Sequence, residues 1–72
     1  MNLRRRLKES KNPIDIIWGL KPLEISPFDL KALLLISKAR KSDCLSFLAL
    51  EVKWWIKDNM TILKKRFVKK ET

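Results

Sequence analysis

Histidine and tyrosine are absent from this sequence of 72 residues, which holds one glycine and one cysteine. Each shortage removes a class of chemistry. Without an imidazole there is no ready general base for a nucleophile, and a lone cysteine cannot complete a zinc or haem ligand set. Glycine-rich phosphate loops need several glycines, and Gly19 stands alone. Cys44 has no partner for an internal disulfide, which points to a reducing, intracellular (cytoplasmic) setting. A thiol at a helix start is activated, yet the run C-L-S-F-L-A-L around Cys44 favours a packed core side chain. The chain is read as a non-enzymatic protein with no cofactor and no metal.

Long apolar runs are missing too. A-L-L-L-I-S and C-L-S-F-L-A-L fall far short of the roughly 18–20 residues that span a bilayer. The basic start resembles the n-region of a signal peptide, but I-D-I-I-W-G-L is short, carries an aspartate and lacks a small-residue cleavage site. Membrane association through the basic C-terminal segment ranks low, because acidic residues are spread along the chain.

Two of the three prolines sit in matching phrases, N-P-I-D-I at 12–16 and S-P-F-D-L at 26–30. Each phrase reads as a helix start. Asn12 and Ser26 suit the cap, Pro13 and Pro27 suit the first helical position, and Asp15 and Asp29 meet the positive end of the dipole. The likeness stops after the aspartates, so it is shared punctuation rather than an internal repeat.

The first phrase predicts a short helix over 13–18 ended by a left-handed Gly19, then an extended linker through Pro22 that lays Leu20, Leu23 and Ile25 over the core. The second opens a leucine-rich helix over 27–38. No glycine or proline follows Pro27, so one long helix is formally allowed. However, S-K-A-R-K-S-D at 37–43 would leave a polar waist between two apolar halves. A hairpin with its turn between Ala39 and Asp43 lets those halves cover each other, with Leu34 and Leu48 in the core. Ser42 or Asp43 then caps a helix over 43–57. Along it one stripe runs Leu45, Leu48, Val52, Trp55, Asn59 and Ile62, and a second runs Phe47, Leu50 and Trp54. Apolar on nearly all sides as far as Ile56, this helix is expected to be central. Beyond it Met60, Leu63 and Phe67 form one stripe among lysines.

The expected fold is all-α: a small three-helix domain, made of a short N-terminal helix and a helical hairpin, with basic terminal extensions. Residues 1–11 form a mobile basic tail, 12–63 the helical core and 64–72 a basic C-terminal extension. A domain this small buries only about 60% of its unfolded surface, so a partner or second copy would add needed stability.

Charge is the strongest compositional signal. Seventeen Lys and Arg face eight Asp and Glu, for a formal net charge of +9. At the N-terminal end Arg4, Arg5, Arg6, Lys8 and Lys11 oppose only Glu9; at the other end Lys64, Lys65, Arg66, Lys69 and Lys70 oppose only Glu71. The middle is nearly balanced. These ten cations are the candidate contacts to nucleic acid or a ribonucleoprotein, mainly through phosphate, since base-reading Asn or Gln side chains do not accompany them. A helix-turn-helix reading fails because the would-be recognition segment, D-C-L-S-F-L-A-L, is acidic and then apolar. The alternative is an inhibitor or adaptor, of the kind phages and mobile elements encode, that docks on a host enzyme. Trp18, Phe47, Leu50 and Trp54 would form that interface, or one with a second copy as a homodimer. Adjacent helical residues point about 100° apart, so Trp55 takes the core and Trp54 faces a partner.

Overall fold

The computed structural model describes residues 2–68, and within them the chain is all-α, with no strand. Helices run over Leu3–Glu9 (α1), Pro13–Gly19 (α2), Pro27–Ser37 (α3), Ala49–Asp58 (α4) and Met60–Phe67 (α5), and a single 3₁₀ turn, Ser46–Leu48, leads into α4. The helical hairpin is present as the α3–α4 pair, which forms the largest helix–helix contact. There are two helices beyond the expected three: α1 lies in the segment read as a basic tail, and α5 straddles the boundary drawn between the core and the basic C-terminal extension.

α1 replaces the expected mobile tail. Leu3 and Leu7 are four residues apart, so they share one helical face, and both are buried in the core. Asn2 caps this helix by accepting a 2.9 Å hydrogen bond from the Arg5 N–H at Oδ1. The arginines of 4–6 project from a packed helix rather than from a loose strand of chain.

The two proline phrases diverge in detail. Ser26 caps α3, its Oγ accepting from the Asp29 N–H at 3.1 Å. Asn12 makes no side-chain cap; its own N–H donates instead to Ser10 Oγ at 3.0 Å. With φ −130° and ψ 63°, Asn12 lacks the extended backbone that aims a capping oxygen at the first turn. Gly19 is the last residue of α2 and has no positive φ, so the left-handed stop expected there is absent.

Between α3 and α4 the chain turns tightly. Asp43 N–H donates to Arg40 O at 2.8 Å, and Asp43 Oδ1 accepts from Leu45 N–H at 2.8 Å. Bonds of i→i+3 type from Ser46 to Asp43 and from Leu48 to Leu45 follow. Three-residue winding stacks residues three apart, which sends both Leu45 and Leu48 into the core. The helix expected from residue 43 therefore begins at Ala49. Cys44, on the outside of this turn, is exposed and not the core thiol expected.

α4 and α5 are separated by one residue. Asn59 Nδ2 donates to Trp55 O at 2.8 Å, and its backbone leaves the helical range at φ −108°, ψ 14°. On α5 Leu63 is buried and Phe67 packs on the core. Around Trp55 the core collects Leu3, Leu7, Ile17, Leu33, Ile36 and Val52 from four helices. Ser37 is also buried, its hydroxyl donating to Leu34 O at 2.7 Å.

The register of α3 differs from expectation by one residue: Leu33 is fully buried while Leu34 is 41% exposed. A buried, unpaired carboxylate is costly. Leu33→Asp and Leu48→Asp should each abolish the helical circular dichroism signal at ordinary temperature, whereas Leu34→Asp should keep it and move the urea midpoint only slightly. The opposite order for residues 33 and 34 would contradict this register.

Candidate interaction surfaces

On α1 the buried leucines fix the outward direction of Arg5, Arg6 and Lys8, which are all exposed. Arg4 lies 3.7 Å from Asp43 Oδ2, and Arg5 Nε donates to Glu9 Oε2 at 3.3 Å. Both pairs are solvent-accessible, and such pairs contribute about 0–1 kcal/mol. A phosphate can replace either carboxylate at small cost. Lys11, in the link to α2, is exposed as well.

On α5 the cations divide. Lys64 and Lys65 point outward, on a helix that carries no acidic residue. Arg66 turns back and donates from Nη1 to Pro22 O at 2.7 Å and to Ile25 O at 2.8 Å. Its guanidinium carbon also sits 4.6 Å from the Phe67 ring centroid, within cation–π range. Arg66 thus ties α5 to the turn that precedes α3, a role composition did not signal. Lys69 and Lys70 lie outside the described residues. α1 packs near Asp43, ahead of α4, and α5 continues from the other end of α4. The two basic helices therefore lie toward opposite ends of a body 42 Å long.

The second surface is apolar. Trp55 is 1% exposed and Trp54 57% exposed, the division expected of adjacent helical positions. Phe47 and Leu50 stand beside Trp54 on the same side and are also largely exposed. α4 is therefore not wrapped on all sides, as its all-round apolar sequence suggested; one stripe is covered and the other is open. Trp18 joins this side by donating from Nε1 to Glu51 Oε1 at 2.9 Å. Ile14, one turn before Trp18 on α2, is exposed and lines a shallow depression with Phe47, Lys11 and Pro13. Trp18, Phe47, Leu50 and Trp54 thus form one continuous face. Ile14 belongs to it too and was missed, although its four-residue spacing from Trp18 was available to find it. A smaller apolar stripe, Phe28 and Leu35 on α3, is separate and was not anticipated.

Among the described residues no three Cys, Asp or Glu side chains converge as a metal site would require. Nor is any helix there long and apolar enough to cross a membrane. These features define a small all-α domain with basic helical ends, a broad open apolar face on α2 and α4 and a smaller apolar stripe on α3. Compared with protein-family models, curated proteins and solved structures, the chain matches none.

Removing the core tryptophan and removing the surface one should differ sharply. Trp55→Ala is expected to cost about 3–5 kcal/mol, while Trp54→Ala in dilute protein should change stability by only about 0.5 kcal/mol. Arg66→Met should cost about 1–2 kcal/mol, because it leaves two carbonyls without their charged donor. Urea titrations followed by circular dichroism measure all three, and equal losses at Trp54 and Trp55 would contradict the division of α4.

Proposed function

We propose that this chain is a small, non-enzymatic binding protein that contacts nucleic acid, alone or within a ribonucleoprotein, through phosphates. The observation that carries the reading is the pair of basic helices. Leu3 and Leu7 anchor α1, and Leu63 and Phe67 anchor α5, so Arg5, Arg6, Lys8, Lys64 and Lys65 are held outward on packed helices. Cations held this way lose less freedom on binding than cations on loose tails. Lys and Arg meet phosphate oxygens, and of the amides near them Asn2 is occupied in capping α1 and Asn59 in donating to Trp55 O, which leaves Asn12 beside Lys11. Recognition then depends on backbone charge and shape more than on base sequence. A regulatory role suits a protein of this size, which acts by occupancy rather than by chemistry.

A second reading, the inhibitor or adaptor that docks on another protein, is favoured by the exposed Trp18–Trp54 face. Recovery of partners from cell lysate with and without nuclease separates the two. Nuclease-sensitive recovery supports nucleic-acid binding, and one nuclease-resistant protein partner supports the adaptor.

Salt dependence tests the first reading directly. Each phosphate neutralised on duplex steepens the logarithmic salt slope by about 0.9, so five engaged cations predict a slope near −4.5 and a loss of roughly two to three orders of magnitude in affinity between about 50 and about 200 mM salt. Arg6→Gln with Lys8→Gln should flatten the slope by about two, as should Lys64→Gln with Lys65→Gln, with helicity unchanged. Absence of binding to both DNA and RNA at about 50 mM salt would overturn the reading.

A further inference from the structure

We infer that the α2–α4 face is a self-association surface, covered in solution by a second copy of this chain packed with its α4 parallel to the first. Three observations lead there.

The first is area. Ile14, Trp18, Phe47, Leu50 and Trp54 are between 41% and 62% exposed. An aromatic side chain offers about 150–250 Å², so the five together leave roughly 500 Å² of contiguous apolar surface. That is the upper range of what a monomer keeps open, about 300–600 Å². With its polar rim the face approaches the roughly 800 Å² per partner of a stable complex. The α3 stripe, with two side chains, falls well short.

The second is the charge on the two flanks of the seam. Phe47, Leu50 and Trp54 follow the three-and-four spacing of a helix-pairing seam. Glu51 and Asp58 lie on one flank of it and Lys53 on the other. In a parallel pair, the flanking residue before one seam position meets the opposite flank of the partner five residues further on. That rule sets Lys53 against the partner subunit's Asp58, and the two-fold axis repeats the contact. An antiparallel pair would oppose like charges on both flanks instead. Lys57, the next seam position after Trp54, ends the apolar contact.

The third is the location of the excess charge. The formal +9 is concentrated in the two terminal segments, while residues 12–63 hold seven cations and six anions. The face belongs to that balanced middle, so a second copy meets little net repulsion there. Ile14 and Trp18 lie on the acidic flank and widen the contact. This inference does not depend on nucleic-acid binding.

Sedimentation equilibrium on the whole chain, from low to high micromolar concentration and without nucleic acid, tests it. The expected result is a reversible dimer that becomes monomeric in both Leu50→Glu and Trp54→Glu while the helical signal is retained. Phe28→Glu serves as the control and should leave the dimer intact. The register has its own test. Lys53→Glu and Asp58→Lys should each weaken the dimer several-fold, and the double variant should restore it. A wild-type monomer throughout the range overturns the inference, as does a dimer that survives Trp54→Glu or depends on Phe28. A monomer that instead pairs through Trp54 with a different protein also overturns it. Charge variants that weaken the dimer singly and together, without restoration, overturn the parallel arrangement.

Discussion

α4 has two apolar sides, and the described residues cover one of them. Trp54 and Trp55 are neighbours in a helix, so one must point away from wherever the other is buried. Leu48, Val52 and Trp55 take the inner side, α2 and α3 pack against it, and α1 joins the same core by packing on α2 and α3. The other side is left to Phe47, Leu50 and Trp54. Of the six aromatic residues only Trp55 is fully buried. Among the described residues, eleven hydrophobic side chains form the core and eleven large ones remain exposed. A domain of this size has little stability to spare, and burying an outer face by association would add to it without lengthening the chain.

The basic helices follow from the same packing. α1 exists because Leu3 and Leu7 supply an edge of the core that α2 and α3 leave open. α5 exists because Leu63 and Phe67 find apolar contacts on the body and Arg66 bonds to Pro22 O and Ile25 O. Folding thereby fixes the direction of cations that would otherwise sample many orientations. A parallel pair of chains would set both copies of α1 toward the same end, so that one polyanion meets two basic helices and binds with higher avidity. The two proposals use different surfaces and are mutually consistent.

Much of this was legible in the sequence. The Ser26–Pro27–Asp29 phrase marks α3 because its hydroxyl, fixed φ and carboxylate act locally. The polar stretch 37–43 forces a hairpin because no packing rescues it in a straight helix. The Trp54–Trp55 division follows from helical geometry alone. What was missed depends on tertiary contacts. Leu3 and Leu7 look isolated among arginines until a core is present to receive them. The A-L-L-L-I run of α3 is apolar in every register, so choosing Leu33 over Leu34 requires knowing where α4 lies. Asn12 resembles a cap in composition but lacks the backbone angle. Arg66 looks like one cation of a cluster, yet its partners are carbonyls 44 and 41 residues away.

α4 buries Trp55 and leaves Trp54 open to solvent or to a second chain. Fluorine NMR of the protein labelled with 5-fluorotryptophan measures this at all three sites at once, with Trp54→Phe and Trp18→Phe variants assigning the signals. In dilute solution the Trp55 resonance should be unchanged when water is replaced by deuterium oxide, while those of Trp54 and Trp18 should move. As the concentration rises, the latter two should lose that solvent response and Trp55 should stay as it was. A Trp54 resonance already insensitive to solvent in dilute protein, or a Trp55 resonance that responds to it, would contradict the account.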